Sequence, residues 1–275
     1  MQFRVRQIYF REDQKPYLCK KFEPYDNTRD KSEINWFEYG VIRSSYHEQF
    51  YASAKYTGVL SWRFSQKSGI SGEEFLKFVR SNPGYDVYFI NPFPEEELSY
   101  PNIWLQGEKS HPGLLKVFEK ISARLSLNIK PQDLRFNPSE IAYCNYWLGN
   151  EKFWKKYIAF SEPFARVIEN DAQIRKLVTT SANYHYPAPL LPFLMERLFS
   201  TMLHLDPDIK SFKFKYPPKI LNAKFAARIV QLESLLGESN AFKLGHSLLN
   251  HRLQFLKLVF RLIWQKVFRK KLRIS

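Results

Sequence analysis

The stretch 56–90 constrains the fold most, because its composition predicts a strand, a helix and a second strand in succession. Residues 56–62, Tyr-Thr-Gly-Val-Leu-Ser-Trp, have the β-branched and aromatic character of a buried strand. Ser71 stands three residues before Glu74, which is the spacing of a capping box at a helix start. A break at Asn-Pro-Gly, 82–84, separates this helix from a strand predicted over 85–90. Such alternation is typical of an α/β sheet.

The same alternation continues along the chain. We expect further strands at 3–10 and 141–148, and helices at 111–125, 151–160 and 190–205. The sequence therefore predicts a mixed sheet with flanking helices over 1–205. Charged residues and prolines at 206–218 indicate a linker, so 206–275 is predicted to be a linker followed by a helical tail.

Charge and cysteine content limit the possible partners and compartment. Of 275 residues, 42 are Lys or Arg and 27 are Asp or Glu, which gives a net charge of +15 and favours nucleic acid, anionic lipid or phosphorylated substrates. Cys19 and Cys144 are the only cysteines, which is typical of a reducing cytosol. We find no secretory signal and no apolar window of spanning length, so a soluble or peripheral protein is expected.

The sequence contains no phosphate loop, zinc-protease motif or nucleophile elbow. Open α/β sheets bind ligands at the ends of their strands, so the candidate residues are those near the predicted strand ends. A base could stack on Trp62 while Arg63 and Lys67 meet a diphosphate. The alternative is that Trp62 fills the core and the cations are solvated. Asp86 also has two interpretations: it could bind ribose or a metal, or it could form a turn. We expect the segments near 60, 90 and 145 to meet at one pocket.

Three further segments combine polar groups with predicted elements. Glu108 and His111 lie at a helix start, where His111 is either a functional group or a helix cap. Asn145 interrupts an aromatic strand, and its amide needs either a sugar hydroxyl or a backbone group as partner. Glu196 and Arg197 lie inside an apolar helix, either as site residues or as a buried ion pair.

Taken in order, these segments resemble bacterial surface-polysaccharide glycosyltransferases of the GT-A superfamily, in particular the galactosyltransferase-like group of O-antigen and capsule clusters. The resemblance covers roughly 55–205. It is carried by 56–64, by Gln106 with His111, by Tyr-Cys-Asn-Tyr-Trp at 143–147, by Phe153-Trp154 and by Phe-Leu-Met-Glu-Arg-Leu at 193–198.

The resemblance implies a GT-A-like, Rossmann-like domain that moves a hexose, by analogy galactose, from a nucleotide-diphosphate sugar such as a UDP-sugar to a glycan. Glu196 is the implied general base, with His111 and Glu108 as further catalytic candidates. The implied donor-binding residues are Trp62, Arg63, Lys67, Asp86, Asn91, Asn145, Trp147 and Arg197. Most such enzymes hold Mg²⁺ or Mn²⁺ with an Asp-x-Asp motif. This chain has Asn91-Pro92-Phe93 after the corresponding strand, so no metal ligands are predicted and metal dependence is left open.

From Ser239 onward the chain has nine Lys or Arg residues and no acid. Cations recur along one stripe while apolar residues cover the remainder, a pattern typical of a helix lying in a membrane interface. The residues expected at the anionic surface are Trp264, Lys266, Arg269, Lys270, Lys271 and Arg273. The alternative is an amphipathic helix packed on its own domain.

These features together predict a cytoplasmic protein held peripherally at the inner face of the cytoplasmic membrane, with a lipid-linked glycan as acceptor. Two other functions fit the sequence. A nucleic-acid-binding protein is suggested by the net charge and the abundant aromatic residues, although the cations are concentrated in the tail. A non-catalytic scaffold of the same fold is the other.

Overall fold

The computed structural model describes residues 2–29, 34–100, 102–179 and 188–237. The strands are β1 Phe3–Tyr9, β2 Glu23–Asp26, β3 Tyr56–Ser61, β4 Val87–Phe89, β5 Trp147–Gly149 and β6 Ser211–Lys213. The helices are α1 Phe37–His47, α2 Phe64–Ser68, α3 Gly72–Ser81, α4 Glu96–Ser99, α5 Ile103–Ser110, α6 Leu114–Arg124, α7 Glu151–Asn170, α8 Ala172–Val178, α9 Leu191–Leu205 and α10 Pro218–Gly237. Short 3-10 helices cover Glu12–Tyr17, Phe50–Ser53 and Pro131–Asp133.

The six strands form one mixed sheet in the order β2-β1-β3-β5-β4-β6. Strands β1, β2 and β3 pair in parallel, and β4 pairs in parallel with β6. Strand β5 runs antiparallel to both β3 and β4, so β3 and β4 point the same way. The carboxyl ends of β3 and β4 therefore lie at the same edge as the start of β5. The predicted α/β mixed sheet with flanking helices is confirmed.

Helices cover both faces of this sheet, because successive side chains of a strand point to opposite sides. On one face Tyr88 meets Phe78 of α3, with ring centroids 6.1 Å apart. On the other face the neighbouring Phe89 meets Phe199 of α9 at 5.2 Å. All three residues of β4 are buried, as expected for a strand that is covered on both sides.

Local sequence signals explain several boundaries. Ser71 Oγ accepts from Glu74 N at 3.1 Å and Glu74 Oε2 accepts from Ser71 N at 2.7 Å, so the predicted capping box is confirmed. A Cβ at Gly58 would collide with the carbonyl oxygen of Trp147, so a residue without a side chain lets β3 and β5 pair.

Two predicted elements are corrected. The strand expected over 141–148 is limited to Trp147–Gly149, because Cys144 has a positive φ of 70° and the backbone leaves the extended region. The linker expected at 206–218 contains β6, which pairs with β4 from Val87 to Phe89. The sheet therefore extends past the predicted domain boundary at 205.

The chain divides into two compact units. The first comprises 1–93 and 101–215 and includes the whole sheet. The second comprises 94–100 and the chain from 216, and includes α4 and α10, with Arg228 Nη2 3.1 Å from Glu96 Oε1. In the described ranges, no helix has the length and apolarity needed to cross a bilayer. The predicted membrane-facing residues of the tail lie outside the described residues.

Candidate active site

A cleft of about 700 Å³ lies at the edge of the sheet where β3 and β4 end and β5 begins. Its walls come from the segment after β3, the loop after β4, the segment before β5, and helices α5 and α9. The lining residues are Arg63, Gln66, Lys67, Phe93, Gln106, Ser110, His111, Tyr143, Cys144, Phe193, Glu196 and Arg197. The expectation that the segments near 60, 90 and 145 meet at one pocket is confirmed.

Two cations enter the cleft from the end of β3. Arg63 is the residue before α2, and its guanidinium carbon lies 5.6 Å from the centroid of the Trp62 ring. Its Nε is buried and has no hydrogen-bond partner in the described part of the chain. One turn later, Lys67 Nζ donates to Cys144 Sγ at 3.3 Å. This pair of side chains makes the wall attractive to an anion.

Trp62 itself occupies an intermediate position. Its ring is half-buried and packs at a tilt on Tyr17, with centroids 5.7 Å apart. It does not line the cleft. Its contact with Arg63 makes it a support for that guanidinium. The predicted stacking of a base on Trp62 stays a prediction.

A small chamber of about 20 Å³ adjoins the cleft and shares Lys67, Cys144 and Glu196 with it. Asn145 lines the chamber and is only 7% exposed, and its Oδ1 has no hydrogen-bond partner among the described residues. A buried amide oxygen left without a donor costs free energy, of the order of 1–3 kcal/mol. Asn145 therefore lines a small polar space with an acceptor that needs a donor, and the predicted contact with a sugar stays a prediction.

Glu38 is a chamber residue that the sequence analysis missed. Burial raises the pKa of its carboxyl, Lys67 opposes this effect, and the negative charge of Glu196 raises the pKa further. Glu38 lies in the first turn of α1 after Trp36-Phe37. An acidic residue in the first turn of a helix is common and predicts only a favourable helix dipole, so the local pattern held no specific signal.

Both Glu38 and Asn145 follow a residue with left-handed backbone geometry. Phe37 has φ of 50° and Cys144 has φ of 70°, and neither is a glycine. Such geometry costs about 1–3 kcal/mol at a residue with a side chain and tends to occur at functional sites. Two polar side chains of the chamber thus each follow a residue with strained backbone geometry.

Glu196 and Arg197 have different roles in the structure. Glu196 lines both the cleft and the chamber. Arg197 is 2% exposed and donates from Nε to Ile103 O at 2.9 Å, from Nη1 to Phe193 O at 2.7 Å and from Nη2 to Gln106 Oε1 at 2.6 Å. The buried ion pair considered from the sequence is corrected, because the guanidinium joins α9 to α5 through Ile103 and Gln106 and also bonds to Phe193 O within α9.

Burial lowers the pKa of Arg197, while the charge of Glu196 opposes that effect. The close approach of Arg197 to α5 depends on Gly107, since a Cβ there would lie 2.8 Å from Arg197 Cζ and overlap Nε. Arg197 lines the cleft, as predicted, but its main role is to hold two walls of the cleft together.

His111 lines the cleft and is 6% exposed, with its ring stacked on Phe193 at a centroid distance of 3.6 Å. It also ends α5, because its N–H donates to Gly107 O at 2.7 Å. Glu108, predicted as catalytic, is corrected. Its carboxylate accepts from Gly113 N at 2.9 Å and from Leu115 N at 2.8 Å, which caps the start of α6.

Asn91 and Trp147, both predicted to bind the donor, are completely buried and are corrected to structural roles. Asn91 Oδ1 accepts from Phe93 N at 3.1 Å and Tyr143 N at 3.4 Å, so this amide fixes two residues that line the cleft. The Trp147 ring packs in the core 4.9 Å from the ring centroid of Trp154.

Asp86 was predicted to bind the donor, but it does not line the cleft. It precedes β4 and lies at the opposite edge of the sheet from the cleft. Asp86 accepts from Asn150 Nδ2 at 3.0 Å, Lys152 Nζ at 2.8 Å and Lys210 N at 3.0 Å. Burial alone would raise the pKa of Asp86, but these donors together hold it below its ordinary value. The carboxylate therefore fastens three chain segments together and does not face a ligand.

Among the described residues, no group of three or more His, Cys, Asp or Glu side chains has the arrangement of a metal site. The fold and the site define an α/β protein with a cationic cleft and one carboxylate at the ends of its parallel strands. Comparison with protein-family models, with curated proteins and with solved structures finds no match. The chemistry of the cleft has to be inferred from its own residues.

Proposed function

We propose that the protein is a glycosyltransferase of the GT-A type, which moves a hexose from a nucleotide-diphosphate sugar to a lipid-linked surface glycan. The observation that carries the proposal is the meeting of Arg63, Lys67 and Glu196 in one cleft at the carboxyl ends of β3 and β4. Open α/β sheets bind nucleotides at such edges. The cleft volume of about 700 Å³ is within the usual range for small-molecule sites.

The cations suit the leaving group of this reaction. When the bond between the anomeric carbon and the diphosphate breaks, negative charge grows on the departing oxygen, and Arg63 and Lys67 stabilise it. Mg²⁺ and Mn²⁺ prefer several oxygen ligands, but the charged groups of the cleft are one carboxylate among cations. This donor set fits a divalent ion poorly, so we assign the neutralising charge to the side chains.

The carboxylate suits the attacking group. Glu196 accepts the proton of the acceptor hydroxyl as its oxygen bonds to the anomeric carbon, which makes Glu196 the general base. His111 stands on the opposite helix of the same cleft and is available to position either substrate.

The basic tail supplies a location for this chemistry. Lys266, Arg269, Lys270, Lys271 and Arg273, with Trp264, would hold the protein on the anionic inner face of the cytoplasmic membrane, where a lipid-linked acceptor is found. In this arrangement the domain over 1–205, extended by β6, is catalytic, and the remainder of 206–275 serves association with the membrane.

A thermal-shift panel of UDP-, GDP-, CMP- and dTDP-sugars, with and without Mn²⁺, tests the proposal. We expect one nucleotide class to stabilise the folded protein, because a ligand that binds only the native state raises its stability. Titration calorimetry should then show that Arg63→Ala and Lys67→Ala weaken that nucleotide sugar about tenfold or more.

Lys20→Ala is the matched control, because Lys20 is exposed and lies outside the cleft. Its affinity should equal that of the unaltered protein. The proposal is overturned if no nucleotide sugar stabilises the protein, or if Arg63→Ala and Lys67→Ala bind as tightly as the control. Salt-sensitive binding of DNA or RNA in place of nucleotide sugar would favour the nucleic-acid alternative.

A further inference from the structure

The chamber beside the cleft has room for one small polar group. Its volume of about 20 Å³ exceeds what a single water molecule needs but is far below the volume of a sugar ring. Lys67, Cys144 and Glu196 line both spaces, so the chamber lies directly beside the cleft.

The polar atoms of the chamber select the chemistry of that group. Asn145 Oδ1 is a buried acceptor that lacks a donor within the described ranges, and the carboxyl groups of Glu38 and Glu196 supply further acceptors. Lys67 also lines the chamber and donates from Nζ to Cys144 Sγ. A hydroxyl is the donor group that a sugar presents, and it can donate to Asn145 Oδ1 or to Glu38.

Other groups satisfy only part of this arrangement. A hydrogen or a halogen gives Asn145 Oδ1 no donor and leaves it buried and unpaired. Phe37 and Cys144, the residues before Glu38 and Asn145, have left-handed backbone geometry, and such strained positions tend to occur at functional sites.

We propose that this chamber is a subsite for one substrate hydroxyl, with Asn145 and Glu38 as the residues that determine specificity for it. The inference rests on the proposed function, since the hydroxyl belongs to the sugar that the cleft binds. It adds that the substrate carries a hydroxyl at the position that projects past Lys67, and that sugars with a deoxy or fluoro group at this position are rejected.

The test uses the nucleotide sugar that stabilises the protein most, its monodeoxy analogues, the fluoro analogue at the sensitive position, and the matching nucleoside diphosphate. Titration calorimetry on the full chain should show one deoxy analogue that binds about 30-fold more weakly than the parent, while the others bind within about threefold. Asn145→Leu should weaken the parent by a similar factor and abolish the difference between the parent and that analogue.

Two variants at Glu38 distinguish a role in recognising the hydroxyl from a role in folding. Glu38→Gln keeps an oxygen acceptor in the chamber and should preserve most of the discrimination, whereas Glu38→Met removes it and should lose the discrimination. All variants should bind the nucleoside diphosphate as the unaltered protein does, which shows an intact cleft. Asn128→Leu and Glu73→Met, at exposed positions outside the chamber, are the matched controls and should change nothing.

The results distinguish a failure of the proposed function from a failure of this inference. If neither a nucleoside diphosphate nor any nucleotide sugar binds, the proposed function and this inference both fail. If nucleotide sugars bind but every deoxy analogue binds equally, or the fluoro analogue binds as tightly as the parent, the inference alone is overturned. Unchanged discrimination in Asn145→Leu also overturns it, and the chamber is then a site for water only.

Discussion

Buried polar groups near the two ends of β4 differ in whether they have hydrogen-bond partners. At the start of the strand, Asp86 is buried and accepts hydrogen bonds from Asn150, Lys152 and the backbone of Lys210. At the other edge, Asn145 is equally buried, yet its amide oxygen has no donor among the residues that the structure describes. The polar group at the first edge is satisfied by the protein itself, whereas the one at the second edge has an acceptor that no described residue satisfies.

This contrast shows how one sheet separates stability from function. Buried polar groups that are satisfied internally hold segments together, and those left unsatisfied or strained at a cleft are the expected marks of a site. Both edges were candidates from the sequence, because both carry polar residues next to a predicted strand. The hydrogen-bond partners decide between them.

The largest expected effect is on turnover at the cleft edge. Glu196→Gln removes the general base, so we expect the rate of sugar transfer to fall about 10²- to 10⁴-fold with nucleotide-sugar affinity unchanged. The measurement is transfer of sugar to a lipid-linked acceptor, with affinity determined in parallel. Glu73→Gln, at an exposed position outside the cleft, is the matched control. Full turnover in Glu196→Gln would remove Glu196 from the mechanism.

At the opposite edge the expected effect is on stability. Asp86→Ala leaves the Lys210 N–H and the Asn150 amide without their acceptor and removes the ion pair with Lys152. We expect the free energy of unfolding to fall by about 2–3 kcal/mol. Denaturant titration measures this loss, and nucleotide-sugar affinity of the folded protein should not change. A neutral effect on unfolding would contradict the role assigned to this edge.

A smaller effect is expected between α5 and α9. Gly107→Ala introduces a methyl group against Arg197 and displaces its guanidinium from the carbonyl of Ile103. We expect a destabilisation of about 1–3 kcal/mol together with weaker nucleotide-sugar binding, because the displaced helices carry His111 and Glu196. Unfolding and binding titrations on one sample measure both effects. Lost stability with intact binding would show that the cleft tolerates this shift.

The smallest expected effects are opposite pH dependences at the two edges. The pKa of Asp86 is lowered, so its contribution to stability is present above the unfolded-state pKa of about 3.9 and is lost as the pH falls through the folded-state value. The pKa of Glu38 is raised by burial and by Glu196, so its ionisation destabilises the fold as the pH rises above about 4.3.

Unfolding titrations from about pH 3 to 7 compare these two groups. Asp86→Asn should be less stable than the unaltered protein near neutrality, and the difference should shrink in acid. Glu38→Gln should be equally stable in acid and more stable near neutrality, because the amide cannot ionise. The same sign of pH dependence in both variants would contradict the contrast between the edges.

The sequence predicted the fold wherever a local signal was strong. The capping box at Ser71, the buried strand after Lys55 and the break at 82–84 each have a local physical cause, and the elements beside them are confirmed. Strands β5 and β6 have three residues each and depend on pairing with distant strands. Tertiary pairing of that kind leaves little mark on composition, which is why 141–148 was predicted too long and 206–218 was taken for a linker.

The site was predicted in part. Arg63, Lys67, His111, Glu196 and Arg197 line the cleft, and Asn145 lines the adjoining chamber. Asp86 directly precedes β4 and Asn91 follows it, so the two residues lie at opposite ends of the strand and the prediction that both bind the donor was wrong. Glu38 escaped notice because it reaches the chamber from a helix about a hundred residues away from Cys144 and Asn145.

Hydrogen exchange with mass spectrometry, with and without the stabilising nucleotide sugar, tests most directly whether the ligand binds at the edge where β4 ends. We expect slower amide exchange over 61–68, 143–147 and 193–198, and unchanged exchange over 84–87 and 208–211. Protection at the Asp86 edge, with 61–68 and 143–147 unaffected, would contradict the assignment of the functional site.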